Sequence, residues 1–160
     1  MNSRPRGWDR SSLIYVLNGP NLNRLGTREP EVYGTTTLAE IERWCHDAAA
    51  PARVQFRQSN AEGQMVDWIH EAIDERAAGI IINPAAFTVT SIAIIDALKM
   101  FAGTIIELHI SNPAERSRTT TALSCRVWRR RRSPVWARAG MWLLWERCVS
   151  CVAIYHHQLS

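Results

Sequence analysis

The sequence has no long apolar run and no glycine-rich phosphate-binding motif. A transmembrane helix needs about 20 consecutive, mostly apolar residues, and no run of that length occurs. The basic segment 1–12 is not followed by the apolar stretch of a signal peptide, so we expect a loose leader and a cytoplasmic protein. Neither GxGxxG nor GxxxxGK(S/T) is present, which disfavours dinucleotide binding and P-loop nucleotide binding.

Cysteine is scarce, with 4 residues in 160. A cytosolic chain of this size needs no disulfide framework. Cys148 and Cys151 are separated by two residues and are followed by His156 and His157, which are the residue types of a zinc site. Adjacent histidines do not easily turn to one ion, however. We therefore expect no metal site.

The positive charge is unevenly spread. The formal net charge is +4, and the excess lies from Arg116 onward, including the run Arg129–Arg132. Such a run can bind nucleic acid, but it is more often a solvated tail, and no aromatic pattern of an RNA-binding module accompanies it. We expect no nucleic-acid partner. A nucleic-acid-binding protein remains an alternative, which salt-dependent retention on DNA would favour.

What the sequence does contain is an alternation of short apolar runs and amphipathic segments. Thr37 and Glu40 have the spacing of a capping box, which marks the start of a helix. Met65, Trp68 and Ile69 recur at helical spacing. Long polar loops are expected at 18–36 and at 84–90. We expect strands at 13–17, 54–58, 79–83 and 104–110, and helices at 37–49, 61–77 and 91–101.

This order, βαβαβαβ, predicts an α/β domain with a parallel sheet and right-handed crossovers. Ligands of such sheets bind beyond the carboxyl ends of the strands. Polar residues follow three of the predicted strands, at 18–21, 83–91 and 109–112. We expect these three clusters to converge in space.

The first long loop carries Asn21, Arg28 and Tyr33. An unperturbed phenol has a pKa near 10 and is a poor base at neutral pH, whereas a close guanidinium stabilises the phenolate. Tyr33 beside Arg28 is therefore a candidate base. For an isolated pair of this kind, the commoner situation is that the tyrosine packs and the arginine is solvated.

The fourth predicted strand ends in Glu107, His109 and Ser111, which alternation places on one face. A histidine beside a carboxylate is a candidate general acid or base with a fixed tautomer. The alternative is a buried structural histidine. Asn83 and Asp96 could bind hydroxyl groups of a polar substrate, although a lone Asp96 is more often a surface carboxylate.

Four segments together resemble the signatures of the type II 3-dehydroquinate dehydratase family. They read LNGPNLNRLGTREPEVYG, QSNAEGQMVDWIHEA, IINPAAFTVTSIAIIDAL and IELHISN, and they follow in the family's order and spacing. The resemblance implies a flavodoxin-like three-layer sandwich, no cofactor and a homododecamer. It also implies loss of water from 3-dehydroquinate through an enolate, in the shikimate pathway or in quinate breakdown.

The resemblance also implies a role for each site residue. Tyr33, as phenolate, removes the proton next to the substrate ketone, and Arg28 lowers the pKa of that phenol. Asn21 holds a water against the enolate oxygen. His109, oriented by Glu107, protonates the departing hydroxyl. The residues implied to bind substrate are Asn83, Asp96, Ile110 and Ser111.

Enolate chemistry of this kind needs no lysine Schiff base. The chain has one lysine, Lys99, and it falls inside a predicted helix. One position departs from the family motif THTS, because Val89 stands where that motif has a substrate-contacting histidine. We expect this change to weaken substrate binding without removing the acid or the base.

A larger departure begins after Arg116, where no strand alternation is visible and tryptophan and arginine crowd together. Back-translation with G/C-rich codons and a one-base shift can restore VAAAVAGLGARGYVAA, close to the family pattern GVIVGLGxxGYxxAL. We therefore expect a leader at 1–12, a dehydroquinase-like domain at 13–116 and an aberrant, frame-shifted segment at 117–160. A natural divergent tail, or an inactive remnant of the family, is the alternative. The encoding DNA around Arg116 would decide between them.

Overall fold

The computed structural model describes residues 9–27 and 35–109, and the backbone of 124–128. Its helices are α1 Leu38–Ala49, α2 Glu62–Asp74, a single turn α3 Phe87–Thr90, and α4 Ile92–Met100. Its strands are β1 Leu13–Asn18, β2 Arg53–Gln58, β3 Gly79–Asn83, β4 Thr104–His109 and β5 Ser124–Trp128.

Within the described residues the strands form one sheet in the order β2-β1-β3-β4-β5. The first four strands are parallel, which confirms the predicted βαβαβαβ core. Of the described helices, none combines the length and the apolar character needed to cross a membrane.

A fifth strand forms after Arg116, although the sequence shows no strand alternation there. The backbone of β5 pairs antiparallel with β4, so that Ser124 lies opposite His109 and Trp128 opposite Ile105. The edge of β4 carries unpaired N–H and C=O groups that favour a partner strand, and antiparallel pairing needs no crossover helix. The sheet is therefore mixed at this edge.

The two predicted loops are also less irregular than expected. A 3₁₀ turn at Leu22–Arg24 follows β1, and α3 follows β3. Both are local i to i+3 or i+4 hydrogen-bonded turns that are too short to leave an apolar period in the sequence.

Helix α1 begins as the capping box predicted. The Oγ1 of Thr37 accepts a hydrogen bond from the Glu40 amide, and the Thr37 amide donates to Oε2 of Glu40 at 2.8 Å. Two of the otherwise unpaired amides of the first turn are thereby satisfied. Cys45 and Ala49 on the inner side of α1 are buried against the sheet.

The strands alternate their side chains between two apolar layers, as the pleat requires. Tyr15 and Ile80 point to the larger layer, which packs against α2 and α4. Ile14 and Ile81 point to the smaller layer, beneath α1. Helices on both faces of the sheet make the three layers that the flavodoxin-like expectation required.

A polar cluster joins the edge strand β2 to α2. Arg57 makes two hydrogen bonds to the Glu71 carboxylate, at 2.6 and 2.7 Å, and lies over the rings of Tyr15 and Trp68 at 5.4 and 5.5 Å. The Tyr15 hydroxyl donates to Glu71 and to Glu75.

The surroundings of Glu71 and Tyr15 in this cluster shift their pKa values in opposite directions. Hydrogen bonding to Arg57 holds the pKa of Glu71 below its ordinary value. Burial, reinforced by the carboxylates of Glu75 and Glu71, raises the pKa of the Tyr15 phenol. Tyr15 is consequently a structural tyrosine and not a candidate base.

Replacing Arg57 by methionine should lower the free energy of unfolding at neutral pH. It should also make that free energy fall less steeply as the pH drops into the acid range. A carboxylate whose pKa is lowered on folding adds stability above its unfolded pKa, ordinarily about 4.5, and loses it as pH falls through the folded value. The acid decline of the unsubstituted protein should therefore lie below about pH 4.5.

Urea unfolding at a series of pH values measures both effects. Arg53→Met, at an exposed position of the same strand, is the control that removes one arginine without touching Glu71. If the two variants show the same free energy of unfolding at neutral pH and the same loss of it in acid, the Arg57–Glu71 pair contributes nothing to folding.

Candidate active site

Two buried asparagines meet at the carboxyl edge of the sheet. Asn18 ends β1 and Asn83 ends β3, and the two are partners in the parallel register. Each is 6% exposed. His109 ends the neighbouring strand β4, so three strand ends of the predicted convergence lie along one edge, as expected.

The loops after β1 and β3 cross in close contact. The Gly19 amide donates to the Asn83 carbonyl at 2.8 Å. A Cβ added to Gly19 would lie 2.4 Å from the carbonyl oxygen of Pro84. Lack of space, and not an unusual backbone angle, therefore requires glycine here.

The amide group of Asn83 is held at its oxygen end. Its Oδ1 accepts a hydrogen bond from the Ala85 amide at 3.2 Å, and Ala85 itself adopts a left-handed φ of 51°. Among the described residues, Nδ2 of Asn83 has no hydrogen-bond acceptor. This NH₂ group is thus a donor placed at the carboxyl edge.

Asn21 begins the 3₁₀ turn after β1 in a left-handed conformation, with φ 67° and ψ −2°. Its side chain is exposed, and its backbone amide donates to Oδ1 of Asn60 at 2.9 Å. Asn60 follows β2, so the loops after two neighbouring strands are tied together here.

His109 and Glu107 form a buried pair on β4. Nε2 of His109 lies 2.8 Å from Oε1 of Glu107, and the residues are 6% and 7% exposed. Their two-residue separation puts them on one face, as the alternation predicted. Because Nε2 faces the carboxylate, Nδ1 is the ring nitrogen that can face another group.

Two of the sequence-predicted positions lie on the surface of the segment after β3. Asp96 is exposed on α4, and no contact links it to Asn83 or His109 within the described residues. Val89, which ends up on α3, is 77% exposed. The structure does not bring either residue into the group formed by the strand ends.

Several sequence-predicted positions lie outside the described residues. They are Arg28, Tyr33, Ile110 and Ser111 of the proposed site, the run Arg129–Arg132, and Cys148, Cys151, His156 and His157 of the weak zinc pattern. Over the ranges 9–27 and 35–109, no group of three or more His, Cys, Asp and Glu residues is arranged to hold a metal ion.

The sequence interpretation missed Gln58 and Asn60 as parts of this edge, and it included Gly19 in the cluster 18–21 without assigning it a role. Gly19 stood in a recognised turn cluster, so its need for a small residue had a local signal. Asn60 contacts Asn21 across 39 positions of sequence, and no local pattern indicates such a pairing.

Comparison with known proteins gives a consistent family match. Residues 12–127 match the family described as Dehydroquinase class II. A 3-dehydroquinate dehydratase of Bartonella henselae is 59% identical over 104 residues, which cover 64% of this chain and 70% of that protein. One from Bartonella bacilliformis is 62% identical over 104 residues, or 64% of this chain and 65% of that protein.

A solved structure gives the same likeness in three dimensions. The type II dehydroquinase of Propionibacterium acnes aligns with a TM-score of 0.60 and 42% identity. The alignment covers 71% of this chain and 78% of the other.

Replacing Gly19 by alanine should destabilise the protein by about 1–3 kcal/mol, because the new methyl group would clash with a backbone carbonyl that cannot move away. The matched control is Gly63→Ala, since a Cβ at Gly63, within α2, meets nothing within 4 Å. That change should leave stability equal or raise it by up to about 1 kcal/mol. Urea unfolding of both variants measures the difference, and equal effects would show that the loop crossing tolerates a Cβ.

Proposed function

Because the chain belongs to the dehydroquinase class II family, we propose that it is a 3-dehydroquinate dehydratase, a hydro-lyase that converts 3-dehydroquinate to 3-dehydroshikimate. The observation that carries the proposal is the buried His109–Glu107 pair at the same sheet edge as Asn83. An acid with a fixed orientation beside amide donors suits elimination from a polyhydroxylated substrate.

The first step is removal of the proton on the carbon next to the ketone. The electron pair of the broken carbon–hydrogen bond moves toward the carbonyl group, which becomes an enolate. We assign the base to Tyr33 as phenolate, with Arg28 stabilising that anion. Asn21 holds a water against the enolate oxygen, where negative charge develops in the transition state.

The second step is loss of the hydroxyl group. The enolate electron pair returns to form the carbon–carbon double bond, the carbon–oxygen bond breaks, and His109 supplies the proton that turns the leaving group into water. With Nε2 of His109 on Glu107 at 2.8 Å, Nδ1 is the nitrogen that gives up the proton. The carboxylate keeps the ring in that orientation throughout.

The remaining assignments follow from family membership. We assign substrate hydroxyl and carboxylate binding to Asn83, Asp96, Ile110 and Ser111. The NH₂ group of Asn83, which has no hydrogen-bond acceptor among the described residues, supports its part, whereas the assignment of Asp96 rests on family membership alone. The reaction belongs to the shikimate pathway, and thus to aromatic amino acid biosynthesis, or to quinate breakdown. We further propose a cytoplasmic homododecamer that uses no cofactor.

We also propose that the catalytic domain is 13–116, preceded by a leader at 1–12 and followed by a segment, 117–160, read in a shifted frame. The division has one structural consequence within the described backbone: β5 comes from the shifted segment and pairs with the edge of β4.

Replacing Tyr33 by phenylalanine should lower turnover at least about 100-fold, because the ring stays and the base is lost. The assay follows the ultraviolet absorbance of the conjugated enone formed from 3-dehydroquinate. Tyr15→Phe is the matched control, since the Tyr15 hydroxyl donates hydrogen bonds to Glu71 and Glu75. This variant should keep its turnover. Substantial activity in the Tyr33 variant would show that another group is the base.

Replacing His109 by alanine should block loss of hydroxyl more than removal of the proton. Exchange of the substrate's proton with deuterated solvent should therefore continue while enone formation stops, which mass spectrometry and absorbance measure in one sample. His70→Ala, at an exposed histidine of α2, should affect neither. Loss of both exchange and turnover in the His109 variant would contradict this division of roles.

A further inference from the structure

The loop after β2 makes a set of contacts with the loop after β1. Oδ1 of Asn60 accepts two hydrogen bonds, from the Asn21 amide at 2.9 Å and from Nε2 of Gln58 at 3.1 Å. Nε2 of Gln58 also donates to the Gly19 carbonyl at 3.2 Å. Gln58 thus orients Asn60 and is itself anchored to the first loop.

The strand ends beneath these contacts are joined as well. Nδ2 of Asn18 donates to the Arg57 carbonyl at 3.1 Å, and the Ser59 amide donates to the Asn18 carbonyl at 3.0 Å. The backbone that carries Gln58 and Asn60 is therefore already held against the end of β1.

Asn21 has a left-handed φ of 67°. Asparagine adopts this region more readily than other residues with a side chain, but the conformation still costs free energy relative to the ordinary regions. Such a conformation persists when surrounding contacts specify it. The contact between Asn21 and Asn60 is exposed, so water competes for it. The second bond, from Gln58, keeps the Asn60 oxygen facing the Asn21 amide.

We propose that Asn60, oriented by Gln58, is a positioning residue that holds Asn21 in the left-handed conformation required for its action on the enolate. The inference rests on the proposed function, since it gives Asn21 its role in the dehydratase reaction. In this role Asn60 acts through the hydrogen bond that it accepts from the Asn21 backbone, and not through contact with substrate.

The kinetic test separates turnover from binding. Asn21 acts on charge that develops in the transition state, so loosening it should lower kcat more than it raises KM. Asn60→Ala should lose about tenfold or more in kcat, a loss typical of a small misplacement of a catalytic group. Asn60→Asp should recover most of it, because a carboxylate oxygen accepts the same two hydrogen bonds.

The matched control is Asn23→Ala, an exposed asparagine of the same loop, which should keep the kcat of the unsubstituted protein. Gln58→Met is a second variant that leaves the Asn60 oxygen in place but removes its anchor. It should give an intermediate loss of kcat. Thermal melting checks that each variant is folded, and the Gln58 variant tests the inference if Asn60→Ala does not fold.

Hydrogen exchange of the Asn21 amide gives a readout that does not depend on activity. Exchange should be faster in Asn60→Ala and close to that of the unsubstituted protein in Asn60→Asp. Faster exchange with unchanged kcat would overturn the inference and leave the dehydratase function standing. An unsubstituted protein without turnover would overturn the function, and the exchange result would still report whether Asn60 holds Asn21.

Discussion

The candidate site depends on the parallel register between β1 and β3. That register sets Asn18 beside Asn83 and brings the following loops so close that only glycine fits at position 19. A shift by one residue would turn every side chain of a strand to the opposite face. The two apolar layers would then be exchanged, and the buried side chains of both layers would lose their packing. Packing of the core therefore fixes the position of the polar strand ends.

Much of this fold follows from local signals in the sequence, and the rest depends on distant contacts. The apolar run of β3 and the capping box at Thr37 predicted their elements closely, because each is decided by neighbouring residues. The pairing of His109 with Glu107 followed from strand alternation alone. The contact of Asn60 with Asn21 and the pairing of β5 with β4 were not predicted, since both join segments whose proximity only the folded sheet creates.

The edge strand β2 shows how alternation lets neighbouring residues serve different parts of the molecule. The Arg57 side chain reaches α2 through Glu71, while its carbonyl accepts a hydrogen bond from Asn18. The next residue, Gln58, contacts Gly19 and Asn60. Packing of a helix and the geometry of the loop after β1 therefore both depend on one short strand. A change at Arg57 that shifts the backbone of β2 will therefore also shift the contacts of Gln58 with the loop after β1.

The direction of β5 limits which parts of the chain can reach the site. A parallel fifth strand would bring another carboxyl end, and the loop after it, to the edge where His109 lies. The antiparallel strand instead enters beside His109 and leaves beside Ile105. Four residue steps, about 13 Å in an extended strand, separate these two ends. An insertion or a fused peptide placed directly after Trp128 would start at the far edge of the sheet and would have to span that distance to meet a bound substrate.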